Sequence, residues 1–143
     1  MTSEEQNLSR VVPYLLAILV CDSGTVDRNS GKKTLVGIFD RVIAKEFPTS
    51  RWLSVYFKLS DAQGNYRFKV QYAQVETDKI LAEAETKDLQ IIKSRLDTFD
   101  SLIGFPVALP IPEVGQYEFR LYANNMFLGR IAINAVPRDK REG

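Results

Sequence analysis

Residues 52–72 read WLSVYFKLSDAQGNYRFKVQY, and the hydrophobic pattern of this stretch decides the fold class. Apolar side chains take every second position in two runs, which the polar turn 61–64 separates. Successive side chains of a β-strand point to opposite faces, so the alternation predicts two strands that each bury one face. The short turn predicts an antiparallel hairpin with these apolar pairs opposite each other: Leu53 and Tyr72, Val55 and Val70, Phe57 and Phe68, Leu59 and Tyr66.

Similar short runs lie on both sides of this hairpin. Residues 13–21 form an apolar run of strand length, and residues 117–136 are predicted to form a last hairpin around the turn Asn124-Asn125. Turn residues recur about every 8–12 positions, which is typical of a β-sandwich or barrel. The chain is therefore predicted to be all-β, without the alternation of strands and helices that an α/β protein shows.

Three other segments carry predictions of their own. The turn 27–31 is expected to close a hairpin between Thr25-Val26 and a strand over 34–44. Residues 105–112 contain three prolines, which favour an edge strand. Residues 89–103 are ambiguous: a strand to about residue 92 followed by a loop is preferred, although the apolar spacing also fits a short helix.

Length and composition predict one domain. With 143 residues, of which 45% are hydrophobic, the chain can bury a core without disulfides or metals. Residues 1–10 are polar and are predicted to form a mobile N-terminal arm. Residues 11–137 are predicted to form the β-sandwich domain, and residues 138–143 a charged C-terminal tail.

The amino-acid composition argues against several classes of function. The 19 basic and 18 acidic residues give a net charge of +1, which argues against nucleic acid or a membrane surface as partner. Histidine is absent, which removes the commonest general base and metal ligand. Cys21 is the only cysteine, so no intrachain disulfide or thiolate zinc site can form, and a cytoplasmic location is expected. The chain is predicted to be no enzyme and to carry no cofactor and no metal.

Residues 11–21 also resemble in length a signal-peptide core that ends in a cysteine. Glu4 and Glu5 in the leader, Pro13 at the start of the run and the bulky Val20 before Cys21 oppose that interpretation. A membrane span needs about 20 apolar residues, so this run is too short for one.

Acidic residues offer two alternatives to a plain binding domain. Asp22, Asp27 and Asp40 lie in or beside connections and could gather around calcium, although capping of their own turns is the preferred interpretation. Glu83 with Glu85, or Asp97 with Asp100, could supply the paired carboxyls of a glycoside hydrolase, but any chain with 18 acids contains such pairs.

Two stretches carry a resemblance to a known group. The first is residues 21–40, which contain CD at 21–22, GK at 31–32 and LVGIFD at 35–40, and Phe47-Pro48 follows this stretch. The second is residues 115–120, which read GQYEFR. From Pro13 to Val136 the chain resembles small, functionally uncharacterised bacterial proteins with an immunoglobulin-like fold. With the strand pattern, this likeness predicts a two-sheet antiparallel immunoglobulin-like sandwich of about eight strands. It implies no catalytic residues.

The outer face of the predicted hairpin supplies the candidate site. Cations and aromatic rings there suit contacts with a protein, or with anionic and sugar ligands, and the residues are Trp52, Tyr56, Lys58, Arg67 and Lys69. The preferred alternative is that Glu83, Glu85 or Glu118 on a neighbouring strand neutralises these charges. The predicted function is a non-enzymatic protein-interaction or structural module that binds another protein or its own copies. A module that binds carbohydrate or an anionic polymer is the second hypothesis.

Overall fold

A computed structural model, which describes residues 8–91 and 97–138, shows an all-β chain. Those residues contain no helix, and so none that could cross a bilayer. They form thirteen strands: β1 (Tyr14–Val26), β2 (Lys33–Ile38), β3 (Arg41–Ala44), β4 (Thr49–Arg51), β5 (Ser54–Ser60), β6 (Gly64–Tyr66), β7 (Phe68–Gln74), β8 (Lys79–Glu85), β9 (Leu89–Ile91), β10 (Thr98–Gly104), β11 (Leu109–Ile111), β12 (Gly115–Ala123) and β13 (Met126–Pro137).

The strands are arranged in four sheets. A four-stranded sheet has the order β10-β5-β1-β2, and a five-stranded sheet has the order β3-β13-β12-β7-β8. Two smaller sheets pair β11 with β4 and β6 with β9. Neighbouring strands are antiparallel except β3 and β13, which run parallel.

The core lies between side chains of the two larger sheets. Alternate residues are buried along β5 and along β7 as far as Tyr72, as the hydrophobic pattern predicts. Phe57 on β5 contacts Phe68 on β7, with 5.1 Å between the ring centroids. Phe99 on β10 stacks on Phe68 at 5.6 Å, so three aromatic rings join the sheets. Full burial of a Phe ring contributes about 1.5–3 kcal/mol, and Phe57 and Phe68 are both fully buried, which makes this contact a main source of stability.

The predicted hairpin between the runs at 53–59 and 66–72 is wrong. β5 pairs with β1 and β10, where Phe57 lies opposite Ile18 and Ser101. β7 pairs instead with β12 and β8. Period-two alternation identifies the buried side chains, but it does not say whether the matching strand lies beside them or across the core. The two strands face each other across the core, so their outer faces point in opposite directions.

Other local predictions have mixed outcomes. The turn at 27–31 closes the hairpin between β1 and β2, and residues 124–125 close the last hairpin with positive φ angles of 48° and 66°. The proline-rich segment contributes β11 to a two-stranded sheet, as an edge strand should. The strand expected over 34–44 is instead divided between two sheets, and residues 98–104 form a strand where a loop was expected. Residues 92–96, where the helix alternative was centred, lie outside the described residues.

The long strand β1 pairs with two different strands along its length. Its first half pairs with β5 as far as Cys21, and its second half pairs only with β2. We call residues 22–38 the β1–β2 arm. A Cβ on Gly24 would lie 2.6 Å from Leu102 Cδ2, so the arm packs closely against β10 at a position that only glycine permits without a shift.

Residues 8–12 are attached to the end of the domain. The Asn124 side chain donates a hydrogen bond of 2.9 Å to Ser9 O, and Tyr66 Oη donates one of 2.8 Å to Val11 O. The rest of the arm predicted over 1–10 lies outside the described residues.

The corrected pairing of β1 with β5 can be tested with the native thiol. Cys21 and Ser54 are direct partners, and Cα atoms of such partners lie about 4.5–5.5 Å apart, which a disulfide can span. We expect the Ser54→Cys variant to form a disulfide with Cys21 when it refolds with oxidised glutathione, which thiol titration and peptide mapping would detect. Ser60→Cys, whose β1 partner is Tyr14, is the control. Two free thiols in folded Ser54→Cys protein would contradict the pairing.

Candidate functional site

The structure does not bring the five predicted site residues together. Tyr56 and Lys58 lie on the outer face of the four-stranded sheet, whereas Lys69 lies on the outer face of the five-stranded sheet. Arg67 lies between β6 and β7, and Trp52, with 62% of its surface exposed, lies between β4 and β5. The expected single cationic and aromatic face is therefore wrong, because it depended on the β5–β7 hairpin. That any of these residues binds a ligand stays a prediction.

Around Tyr56, a polar cluster holds the β1–β2 arm against β10. Asp100 accepts a hydrogen bond of 2.9 Å from Tyr56 Oη and an ion-paired hydrogen bond of 2.5 Å from Lys33 Nζ. Lys33 belongs to β2, and only 13% of its side chain is exposed. Lys58 lies directly opposite Asp100 in the pairing of β5 with β10. The cluster therefore fixes the arm with a charge-assisted contact.

Burial and the Asp100 contact change the acidity of this cluster. Burial, followed by the hydrogen bond to Asp100 and the charge of that carboxylate, raises the pKa of Tyr56 to about 12. Burial raises the pKa of Asp100, but the hydrogen bonds from Lys33 and Tyr56 lower it by more, so this pKa lies below its ordinary value. Tyr56 stays a phenol and Asp100 a carboxylate at neutral pH, so the cluster is suited to structure.

The other two predicted cations have compensating neighbours. Lys69 lies opposite Glu85 on β8, and its ammonium nitrogen is 5.2 Å from the centroid of the Tyr122 ring. Arg67 makes two hydrogen bonds to Asp88, of 2.8 and 3.3 Å. A carboxylate on the neighbouring strand therefore faces Lys69, in agreement with the prediction that nearby acids neutralise these charges.

Four more charges compensate one another on the outer face of the five-stranded sheet. Glu118, only 5% exposed, accepts hydrogen bonds of 2.7 Å from Arg120 Nε and 3.5 Å from Arg130 Nη1. Arg120 also forms an ion pair with Asp78. Hydrogen bonds to Asp78 and Glu118 raise the pKa of Arg120, which keeps the guanidinium charged. This face is thus rich in charge but internally paired.

Acidic residues considered for calcium serve local structure. Asp22 forms an ion pair of 2.6 Å with Arg51. Asp27 Oδ2 accepts hydrogen bonds from Ser30 N at 3.0 Å and Ser30 Oγ at 2.6 Å, and these bonds lower the pKa of Asp27. Within the described residues, no three His, Cys, Asp or Glu side chains are grouped as metal ligands would be. Capping and ion pairing therefore account for Asp22 and Asp27.

Strand β2 presents a surface of a different kind. From residue 32 to residue 40 every even-numbered residue is exposed, whereas Lys33, Leu35 and Phe39 are half-buried. The exposed fractions of Val36 and Ile38 are 54% and 57%. β2 is also the last strand of its sheet, and no strand in the described residues pairs with its outer edge. We call the even-numbered residues 32–40 the β2 face.

Sequence reasoning missed this face for a physical reason. Apolar residues occupy both parities of the segment, with Leu35 and Phe39 on one side and Val36 and Ile38 on the other. Alternation therefore does not identify the outer side. The absence of charge over residues 34–38 was the available signal, because edge strands usually carry charged side chains.

Comparison with known proteins assigns no activity to these surfaces. Residues 16–136 match the family model described as a family of unknown function, DUF6941, and this range begins within β1 and ends within β13. A search of curated proteins finds no match.

The acidity of Tyr56 provides one test of the cluster. We expect Asp100→Asn to lower the pKa of Tyr56 from about 12 toward its ordinary value of 10, because the variant removes the negative charge that disfavours phenolate. Absorbance titration of tyrosinate would measure the change, with Tyr56→Phe used to assign the signal. Glu83→Gln, on the other sheet, is the matched control. An unchanged titration in Asp100→Asn would contradict the contact.

Stability should also depend on Asp100 in a pH-dependent way. The folded-state pKa of Asp100 is lowered, so its contribution is present above the unfolded pKa, near 3.8, and is lost as pH falls through the folded value. We expect Asp100→Asn to lower the unfolding free energy by about 1 kcal/mol at pH 7, with a smaller loss at acid pH. Urea denaturation at several pH values would measure this. A loss that stays constant down to the acid limit would show that the carboxylate charge is not involved.

Proposed function

The chain belongs to DUF6941, a family of unknown function, and from its geometry we propose that it is a non-enzymatic protein-interaction domain that binds its partner through the edge strand β2. The observation that carries this proposal is a sheet edge that no strand of the described residues pairs with, combined with two apolar side chains that are more than half exposed. Backbone groups at such an edge can pair with an extended segment of another chain.

Over residues 34–38, the side chains of β2 give little of the usual protection against pairing. Natural sheets discourage edge-to-edge contacts with charged residues, proline or a covering loop. Residues 34–38 read TLVGI and contain neither a charged residue nor proline. The edge strand β8, by comparison, carries Lys79, Glu83 and Glu85. The contrast supports β2 as the edge that a partner covers.

The apolar side chains of the β2 face add affinity to backbone pairing. Complete burial of a Val or Ile side chain contributes about 1.5–3 kcal/mol, and Val36 and Ile38 each leave more than half of their surface to be buried by a partner. The Lys33–Asp100 contact holds the arm in place before binding, which reduces the entropy that association must overcome. A preformed apolar edge is well suited to protein recognition.

The alternative of a module for carbohydrate or an anionic polymer has less support. Its five residues are divided among different surfaces, and Lys58, Arg67 and Lys69 each have an acidic neighbour. Trp52 is the residue among them that remains open for stacking. One exposed ring without adjacent uncompensated cations gives little basis for recognition of a polyanion.

The same domain is proposed to be an immunoglobulin-like sandwich in a bacterial, cytoplasmic protein. Ring contacts between the two larger sheets support the sandwich. The single cysteine, which is buried, suits a reducing compartment.

Partner capture tests the proposed edge. We expect the double variant Val36→Lys/Ile38→Lys to fold normally, because both residues are exposed, and to lose partner binding at least about tenfold, since it places charge on the edge. Quantitative mass spectrometry after affinity capture from the native host would measure the loss, with the chain's own untagged copies counted as partners. Val107→Lys/Val114→Lys, which changes two similarly exposed valines elsewhere, is the matched control. Equal capture by the edge variant and the parent would sink the proposal.

A further inference from the structure

We infer that the partner of β2 is a second copy of this chain, paired antiparallel and edge to edge around a two-fold axis. This inference rests on the proposed function and adds the identity of the partner and the register. It starts from the β2 face, on which all five side chains are exposed: Lys32, Thr34, Val36, Ile38 and Asp40.

The order of side chains on the β2 face is self-complementary. A two-fold axis at Val36 places Val36 opposite its own copy and Thr34 opposite Ile38. Lys32 directly precedes β2 and Asp40 follows it by two residues, and the same register continued beyond the strand places them opposite each other at both ends of the interface. Neither Lys32 nor Asp40 forms an ion pair within the part of the chain that the structure describes. The interface would therefore contain an apolar centre with an opposite-charge pair at each end.

Neighbouring registers lack this complementarity. In an antiparallel pair, the numbers of opposite residues add up to the same sum along the strands. Because side chains alternate, only a register whose sum differs by two keeps the β2 faces of both copies on one side of the joint sheet. One such shift places Thr34 opposite Asp40 and Lys32 opposite Val42, so neither charge meets an opposite charge. The opposite shift places Lys32 opposite Ile38, so the charged head has no acidic neighbour. Charge thus selects the register centred on Val36.

Gly37 limits how much of the contact comes from the backbone. Its φ of +68° interrupts the pairing of β1 with β2 between Val36 and Ile38. A Cβ there would lie 2.2 Å from Asp22 Oδ2, so glycine is required at this bend. In the proposed register Gly37 lies opposite Leu35 of the second copy. The side chains of the β2 face must therefore contribute to association together with the backbone hydrogen bonds.

A charge-swap series tests the two end pairs on the purified full chain. Lys32→Glu and Asp40→Lys each place like charges opposite one another twice, and we expect each to weaken dimerisation about tenfold. The double variant Lys32→Glu/Asp40→Lys should restore the parent affinity, because the pairs are reversed and remain complementary. Light scattering and sedimentation equilibrium over a range of concentrations would measure this. A double variant as weak as the single ones would overturn the register.

Cysteine cross-linking tests the position of the two-fold axis. In a Cys21→Ala background, Val36→Cys should form an intermolecular disulfide with its own copy on mild oxidation. Thr34→Cys should not link to itself, but it should link to Ile38→Cys when the two proteins are mixed. Non-reducing electrophoresis gives the result directly. Self-linking of Thr34→Cys as efficient as that of Val36→Cys would place the axis elsewhere and overturn the inference.

The two proposals fail in different ways. A purified chain that stays monomeric at high concentration, but captures a different protein through an edge that Val36→Lys/Ile38→Lys disrupts, would overturn the second-copy inference and leave the interaction function in place. A chain that neither dimerises nor captures a partner through β2 would overturn both.

Discussion

The contact between the Phe57 and Phe68 rings, 5.1 Å between centroids, is the interaction on which the rest of the structure depends. It joins β5 of the four-stranded sheet to β7 of the five-stranded sheet, and Phe99 extends it from β10. Because side chains alternate along both strands, fixing these rings inward fixes Tyr56, Lys58 and Lys69 outward on opposite sides of the molecule. The core contact therefore determines how the surface residues are distributed.

The outer surfaces then differ in how their charges are satisfied. On the five-stranded sheet Glu118 binds two arginines, and on the four-stranded sheet Asp100 binds Lys33 and Tyr56. Such compensated groups stabilise local structure and leave little charge for a ligand. The β2 face is different, because its apolar residues are exposed and its terminal charges have no partner within the described chain. This difference makes β2 the better candidate for recognition.

Placement of that edge depends on the length of β1. A strand that ended at Cys21 would complete its pairing with β5 and leave no arm, whereas β1 continues to Val26 and carries β2 with it. The contact of Gly24 with Leu102 and the Lys33–Asp100 ion pair then hold the arm on β10. The polar cluster around Asp100 thus holds the apolar edge of β2 in position. A change that loosens the arm should therefore also weaken binding through β2.

The sequence by itself determined the all-β class, the buried residues of β5 and β7, and the turns at 27–31 and 124–125, because alternation and turn chemistry are local properties. It did not determine that β5 and β7 lie in different sheets, since alternating strands look the same beside a neighbour or across a core. For that reason the five candidate residues could be named but not placed on one surface. Only the tertiary structure decided that the strand expected over 34–44 divides between two sheets, that Lys33 is drawn inward to Asp100, and that Val36 and Ile38 face solvent. Those outcomes depend on contacts between residues far apart in the chain, which no local pattern contains.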